Sequence, residues 1–271
     1  TEDKWIISSF NRVAKEITEN LEKFELGIAA QKIYDFLWDL FCDWYIEIAK
    51  IRMNSDDIQT AQNAREVLVW VMTGTLKLLH PFMPFITEEI WQTLPHKGDA
   101  LIVAEWPEYC QKHDFPEAEL EMQRIMDVIR GVRNRRAEMN VPPSRKTNLY
   151  IATAEPNTFE NGIAILNKLA YATQITIGQA FDIEGAVTIV TNDAKVYIPM
   201  EELVDKKAEL ARLNKELETA KKQFAQVNGK LNNQGFLSKA PAQVVEGVKK
   251  DFETLTERIQ LIESSISALQ S

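Results

Sequence analysis

The sequence predicts a mainly α protein that combines a helical bundle, a small α/β unit and an antiparallel coiled-coil hairpin. Apolar residues recur every three or four positions in the first part of the chain, period-two β-branched runs occur between residues 148 and 199, and heptads occupy residues 203–269. We therefore assign residues 1–116 to the bundle with its connector, 117–201 to the α/β unit and 202–271 to the coiled-coil arm.

The bundle is predicted to form around one hub helix, Phe24 to Arg52, which contains no proline. Its main apolar stripe comprises Leu26, Ala30, Ile33, Leu37, Phe41, Trp44, Ile48 and Ile51. A second stripe beside it comprises Tyr34, Trp38, Cys42, Tyr45 and Ala49. Because most of the circumference is apolar, we expect other helices to surround this one.

Shorter helices complete the predicted bundle. An amphipathic helix from Trp5 to Leu21 precedes the hub helix and should be its antiparallel neighbour. The turn from Asn54 to Asp57 is rich in helix-capping residues, and a third helix runs from it to about His80. Two prolines then break the chain, and Thr87 is predicted to cap a short helix.

The connector, residues 95–116, contains prolines and a glycine, with an extended segment expected from Leu101 to Ala104. No metal site is predicted in the bundle or the connector. His80 is interpreted as a packed, hydrogen-bonded histidine, while His96 and His113 lack partners at ligand spacing. The hub helix carries an acidic ridge without histidines, which we interpret as solvated. The ridge comprises Asp35, Asp39, Asp43 and Glu47.

The α/β unit begins with a helix from Glu117 to about Asn140, which Pro142 and Pro143 end. Strands are then predicted at Asn148–Thr153, Gln174–Ile177, Ala186–Thr191 and Lys195–Pro199, with a helix at Thr158–Ala172. The last two strands flank Asn192, Asp193 and Ala194, which is a hairpin signal. Four strands are therefore expected.

The arm consists of two heptad helices. The first repeats Leu203, Leu210, Leu217, Phe224 and Leu231, with Leu213, Ala220 and Val227 at the matching d positions. The second repeats Val245, Phe252, Ile259 and Ile266, with Val248, Leu255, Ile262 and Leu269. A link from Asn232 to Pro241 joins them, so we expect an antiparallel hairpin and a monomer. The alternative, an intermolecular dimer, requires this hairpin to open.

Composition limits the location and the partners. The two cysteines, Cys42 and Cys110, fit a reducing compartment, and no signal peptide or membrane-length apolar run is present, so we expect a cytoplasmic protein without membrane contact. The net charge of −9 argues against nonspecific nucleic-acid binding. Two basic islands, Arg124 to Lys146 and Lys206 to Lys230, nevertheless permit binding of a polyanion at chosen places.

No pattern in the sequence indicates a catalytic site. It contains no Gly-rich phosphate loop, no nucleophile–base arrangement and no metal-ligand cluster, so binding is the expected role. Arg130, Arg133 and Arg136 share a helical face, and guanidinium groups suit phosphate oxygens. A solvated face paired with neighbouring acids is the alternative. Trp38, Trp44 and Tyr45 have the chemistry to stack on bases, but their helical spacing favours core packing.

Several segments resemble known sequences. WIISSFNRV, FCDWYIEIAK and HPFMPFITEEIW resemble the anticodon-binding domain of class I aminoacyl-tRNA synthetases for branched aliphatic amino acids. IRGVRNRRAEMNVPPSRK and the terminal LNKELE and FLSKAPAQVVE resemble the valyl-tRNA synthetase family. The resemblance covers essentially the whole chain, and the coiled coil is its discriminating part.

The resemblance implies a helical anticodon-binding bundle, a coiled-coil arm that reaches the tRNA elbow, and tRNA for valine as the partner. It also implies a parent enzyme that joins valine to tRNA with ATP and Mg²⁺. The signatures of the catalytic domain are absent from this chain, which should need no cofactor and should not aminoacylate alone. We expect Arg133, Arg136, Lys215 and Lys222 to contact phosphate. Arg130, on the same helical face, is also expected to bind tRNA, and Lys50 and Arg52 are candidate anticodon contacts.

Two other interpretations remain. One is a protein-interaction module that docks through the coiled coil and does not bind RNA. The other is the corresponding region of isoleucyl-tRNA synthetase, whose members commonly end in a cysteine-bearing zinc module that this chain lacks the cysteines to build.

Overall fold

In a computed structural model the chain divides into two compact units, Thr1–Pro199 and Met200–Ser271. The structure describes residues 1–203, 206–232 and 242–270. The predicted link between the heptad helices therefore lies outside the described residues, apart from Asn232. The first unit contains both the predicted bundle and the predicted α/β unit, and the division between these two stays a prediction.

Helices form most of the first unit, as the sequence predicts. They are α1 (Glu2–Glu22), α2 (Leu26–Asp35), α3 (Ile46–Met53), α4 (Ile58–Leu79), α5 (Pro84–Thr93), α6 (Pro116–Glu138), α7 (Pro156–Asn161) and α8 (Ile163–Leu169). The predicted turn before α4 is confirmed, because Asp57 caps this helix by accepting a hydrogen bond from the Gln59 backbone N–H at 3.1 Å. Within the described residues, no helix is both long and apolar enough to cross a membrane.

The hub helix is confirmed, but its centre is not α-helical. A π-helical segment, Phe36–Tyr45, joins α2 directly to α3. In a π-helix each backbone N–H bonds to the carbonyl five residues earlier, so side chains four and five apart both lie near one face. Phe36 and Phe41 are accordingly both buried and stacked, with ring centroids 6.5 Å apart, and Phe41 lies 6.1 Å from Tyr45.

Part of the predicted apolar surface of the hub helix is exposed rather than packed against other helices. Tyr34 and Trp38 belong to the predicted second stripe, but they are 56% and 50% exposed, and Leu26 of the main stripe is 54% exposed. The expectation that other helices surround the hub helix on all sides is therefore wrong for its first half. Trp44 and Tyr45, in contrast, are buried as the spacing predicts.

Two local predictions in the bundle are wrong. Thr87 does not cap α5, because Pro84 already occupies the first turn and Thr87 lies inside the helix, where its hydroxyl donates to the Met83 carbonyl at 2.8 Å. The segment predicted to be extended forms a 3₁₀ turn at Leu101–Val103 instead. Its Leu101 side chain is buried beside Trp91, so packing decides the local conformation.

One four-stranded sheet completes the first unit, as predicted. The strands are β1 (Thr147–Thr153), β2 (Ala172–Gly178), β3 (Ala186–Val190) and β4 (Ala194–Pro199), in the order β2-β1-β4-β3. β1 and β2 are parallel, since α7 and α8 cross between them, whereas β1–β4 and β3–β4 are antiparallel. The predicted single helix before β2 is split at Gly162, where a Cβ atom would lie 2.6 Å from the Ile125 side chain.

The second unit contains α9 (Met200–Leu203), α10 (Lys206–Leu231) and α11 (Ala242–Gln270). Glu216 pairs with Arg258 at 2.8 Å, and the Phe224 and Phe252 rings pack with centroids 4.7 Å apart. Residues of increasing number on α10 therefore meet residues of decreasing number on α11. The predicted antiparallel hairpin is thereby confirmed. Its apolar seam uses predicted heptad positions: Leu213, Ala220 and Ile262, with Leu217, Ile259 and Ile266 packed against them.

Candidate nucleic-acid interface

The arginine face of α6 contacts two aromatic rings from other elements. The Trp44 ring, from the π-helical segment, lies 5.1 Å from the guanidinium carbon of Arg130 and 5.6 Å from that of Arg133. Tyr171, just before β2, lies 5.9 Å from Arg133 and 5.4 Å from Arg136. Each ring therefore lies against two neighbouring arginines of this face. Each such contact is worth about 0.5–2 kcal/mol, depending on desolvation.

The three arginines of this face differ in how accessible their guanidinium groups are to an anion. The Arg130 side chain is 45% exposed and forms a 3.2 Å ion pair with Asp127, one turn earlier on α6. Arg133 is half-buried, and its Nε donates to the Leu169 carbonyl at 2.7 Å. Arg130 is therefore the member of the face that solvent and a phosphate reach most directly.

The structure contradicts a direct phosphate contact by Arg136. Its side chain is 2% exposed, and its N–H groups donate to the Thr147 hydroxyl at 3.3 Å, to the Pro142 carbonyl at 3.1 Å and to the Arg145 carbonyl. Burial, together with the smaller effect of the Arg145 charge, lowers the pKa of Arg136 and outweighs the opposing effect of Tyr171. Arg136 thus acts inside the protein rather than on its surface.

A sequence signal for this burial was present. Six of the eight buried residues of α6 are spaced alternately four and three apart, and Arg136 ends that series four residues after Val132. The full series is Ala118, Met122, Ile125, Ile129, Val132 and Arg136. The prediction that Arg136 contacts phosphate considered its charge and its spacing from Arg133, and not its position in the apolar stripe of α6. No comparable pattern marked Tyr171, whose position depends on a left-handed backbone with φ of 56° before β2.

The two candidate anticodon contacts at the end of the hub helix also have internal partners. Arg52 is 18% exposed and pairs with Glu2 at 3.1 Å and with Asp3. Burial alone would lower the pKa of Arg52, but the hydrogen bond and the charge of Asp3 outweigh it and raise that pKa. Arg52 therefore links α3 to α1 through ion pairs and is not a free surface cation. Lys50 is exposed and pairs with Glu47 on its own helix.

The arm presents its two candidate cations to solvent. Lys215 is exposed on α10, and Lys222, 72% exposed, pairs with Glu218 one turn earlier at 2.7 Å. Such an exposed pair contributes little to stability and is easily exchanged for another anion. The side chains of Lys206, Lys207 and Arg212, which belong to the second basic island, lie outside the described residues.

The histidines take structural positions. His80 is a packed, hydrogen-bonded residue as predicted, with Nδ1 2.8 Å from the Thr87 hydroxyl. The His96 ring packs against Trp91 with centroids 3.7 Å apart, and the His113 and Trp70 rings meet edge to face. Among the described residues, no group of three or more histidine, cysteine or carboxylate side chains is placed to hold a metal ion.

Two protein-family models match this chain. The model described as the anticodon-binding domain of tRNA ligase matches residues 3–151, which contain α1 to α6 and most of β1. The model described as the valyl tRNA synthetase tRNA binding arm matches residues 205–270, which contain α10 and α11. Strands β2 to β4 lie between the two matched segments.

Curated proteins match over almost the whole chain. It is 43% identical over 272 residues to a valine–tRNA ligase of Clostridium acetobutylicum, covering 99% of this chain and 31% of that protein. It is 42% identical over 268 residues to the valine–tRNA ligase of Listeria monocytogenes, covering 96% and 30%, and 37% identical over 265 residues to that of Bacillus subtilis, covering 95% and 30%. The chain spans less than a third of the length of these relatives.

Proposed function

Because this chain belongs to the family of anticodon-binding domains of tRNA ligases, we propose that it docks tRNA for an enzyme that joins valine to its tRNA. The helices α1 to α6, which the anticodon-binding model matches, meet the anticodon stem-loop, and the hairpin of α10 and α11 meets the tRNA elbow. One observation carries this proposal: a bundle and an arm that each match a tRNA ligase model occur in the same chain.

Valine is preferred to isoleucine as the amino acid of the parent enzyme. The relatives are named valine–tRNA ligases, and the second unit is an antiparallel helical hairpin of the kind matched by the valyl arm model. The parent reaction requires ATP and Mg²⁺, which a catalytic domain would bind. On its own, this chain binds tRNA as a cytoplasmic monomer and forms no valyl-tRNA when given valine, ATP and Mg²⁺.

Exposure revises which residues contact the phosphate backbone. Arg130 in the first unit, and Lys215 and Lys222 in the second, present charge to solvent and are assigned this role. Arg133 contributes its charge from a half-buried position. Lys50 becomes available when its pair with Glu47 opens, whereas Arg52 supports the bundle from within.

The test is a salt titration of binding to tRNA for valine, beside the same tRNA with its anticodon exchanged. The logarithm of the affinity should fall linearly with the logarithm of salt concentration, with a slope that counts phosphate contacts. Affinity should also drop when the anticodon is exchanged. Equal binding of both tRNAs would move recognition from the anticodon to the backbone and elbow. Absence of binding at low salt would support the protein-interaction alternative instead.

A further inference from the structure

Arg136 carries a buried charge that no acid among the described residues pairs with. In the described part of the chain, the other arginines with ion pairs have carboxylate partners: Arg12, Arg52, Arg124, Arg130, Arg135 and Arg258. The partners of Arg136 are a hydroxyl, two carbonyls and the Tyr171 ring. A buried cation without a counter-charge is costly to fold, so its position invites a functional explanation. The negative end of α6 offsets about half a charge.

Arg136 holds a tight turn from inside. After α6, Asn140 adopts a left-handed backbone with φ of 55°, and the Val141 N–H returns to the Arg136 carbonyl at 2.8 Å. The Arg145 N–H then donates to the Pro142 carbonyl at 3.0 Å, which closes a turn over residues 142–145. The Arg136 guanidinium binds the carbonyls at both ends of this turn, those of Pro142 and Arg145. Two consecutive prolines further restrict its backbone.

The outer side of this turn is polar and basic. Ser144 and Lys146 are exposed, and Lys146 has no ion pair within the described residues. The turn therefore presents a lysine and a hydroxyl on a backbone fixed by Arg136, whose own positive charge lies directly beneath. Such a combination suits a phosphate group, which takes hydrogen bonds from both groups and supplies the missing negative charge.

We propose that the turn at residues 142–146 is a contact for the phosphate backbone of tRNA, in which Lys146, with Ser144 beside it, meets the phosphate and Arg136 is the positioning residue. This inference rests on the proposed tRNA-binding function and adds a site outside the arginine face. It also accounts for Arg136, whose buried side chain cannot reach the ligand.

The first test compares Lys146→Gln with Lys112→Gln in the full 271-residue chain. Both variants remove one charge from an exposed lysine of the first unit, so they alter net charge equally. Salt titrations of binding to tRNA for valine should give Lys146→Gln a slope smaller by about one, whereas Lys112→Gln should keep the wild-type slope. Wild-type binding with equal slopes for both variants would overturn this inference and leave the proposed function standing. Failure of the wild type to bind would remove both.

The second test addresses positioning by Arg136. Lys keeps the charge but cannot bind two carbonyls as a planar fork, so Arg136→Lys should lose the same slope as Lys146→Gln. The slope of the double variant should fall no further than that of either single variant, because both changes remove the same phosphate contact. Slopes that add in the double variant would overturn the positioning role. Circular dichroism identifies the temperature range in which all variants are folded, and Lys146→Gln, on the exposed turn, tests the site even if Arg136→Lys does not fold.

Discussion

At the scale of single residues, position decides what a charged or polar group does. Tyr45 is fully buried, and its hydroxyl donates to Asp3 at 2.9 Å, where Asp3 also pairs with Arg52. Burial, and then the charge of Asp3 and the hydrogen bond to it, raises the pKa of Tyr45. Three groups that a sequence reader would place on separate surfaces therefore form one network between α1 and the hub helix.

This network predicts a loss of stability at alkaline pH. Above about pH 10 the phenol ionises in the unfolded chain but stays protonated in the folded one. The folded state then binds more protons, so the free energy of unfolding falls as pH rises, by at most about 1.4 kcal/mol per pH unit from this group. Urea unfolding between pH 8 and 11 should show that Tyr45→Phe declines less steeply than wild type.

The matched control is Tyr34→Phe, which removes a phenol hydroxyl from a side chain that is 56% exposed. This variant should keep the wild-type decline with pH. If Tyr45→Phe and Tyr34→Phe decline alike, the alkaline loss comes from other groups and the interpretation of the Tyr45 network is wrong.

At the scale of elements, the π-helical segment determines which tryptophan stabilises the bundle. Trp44 is 6% exposed and lies between two arginines, whereas Trp38, six residues earlier, is half exposed. Trp44→Ala should lower the free energy of unfolding by about 3–5 kcal/mol. Trp38→Ala should cost about 1 kcal/mol or less. Comparable losses in urea unfolding would contradict the difference in burial between Trp44 and Trp38.

The close approach of α1 and α4 at Gly74 gives another prediction. A Cβ atom there would overlap the ring of Phe10, which is held between Phe36 and Trp70 with centroids 5.8 and 5.2 Å away. The overlap caused by Gly74→Ala should destabilise the chain by about 1–3 kcal/mol. The higher helix propensity of alanine should offset up to about 1 kcal/mol of this loss. Gly27→Ala, where nothing lies within 4 Å of the added Cβ, should be neutral or stabilising in the same thermal or urea unfolding assay. A stabilising Gly74→Ala would show that Phe10 is free to move.

These elements also show what a single sequence can predict. The periodicity of apolar residues and the positions of proline, glycine and turn residues located the helices, the four strands and the heptad arm, because those signals are local. The π-helical segment was missed because helical periodicity does not distinguish a bond to residue i−4 from one to residue i−5 over so short a stretch. Trp44 was correctly buried, but its arginine neighbours lie on α6 and its partner ring Tyr171 precedes β2, so only tertiary structure brings them together.

At the scale of the whole molecule, exposed positive charges occur in a chain whose net charge is negative. The chain carries a net charge of −9, yet exposed cations are present in both compact units. Arg130 represents the first unit and Lys215 the second. A tRNA that touches both units would be drawn to these places and repelled elsewhere, so specificity of placement would follow from the acidic background as well as from the cations.

This arrangement predicts that the two units contribute independently to tRNA affinity. Arg130→Glu and Lys215→Glu should each weaken binding on the order of tenfold at 0.1 M salt, since each removes a phosphate contact. The logarithmic losses of affinity should add in the double variant, because the residues lie in different compact units and have no shared partner among the described contacts.

Fluorescence anisotropy at fixed salt measures the affinity of each variant for tRNA, with Lys112→Glu as the charge-matched control for Lys215→Glu. If Lys215→Glu behaves like this control while Arg130→Glu weakens binding, tRNA engages the first unit alone and the arm serves another partner. If the losses add, both units contribute to the binding of tRNA.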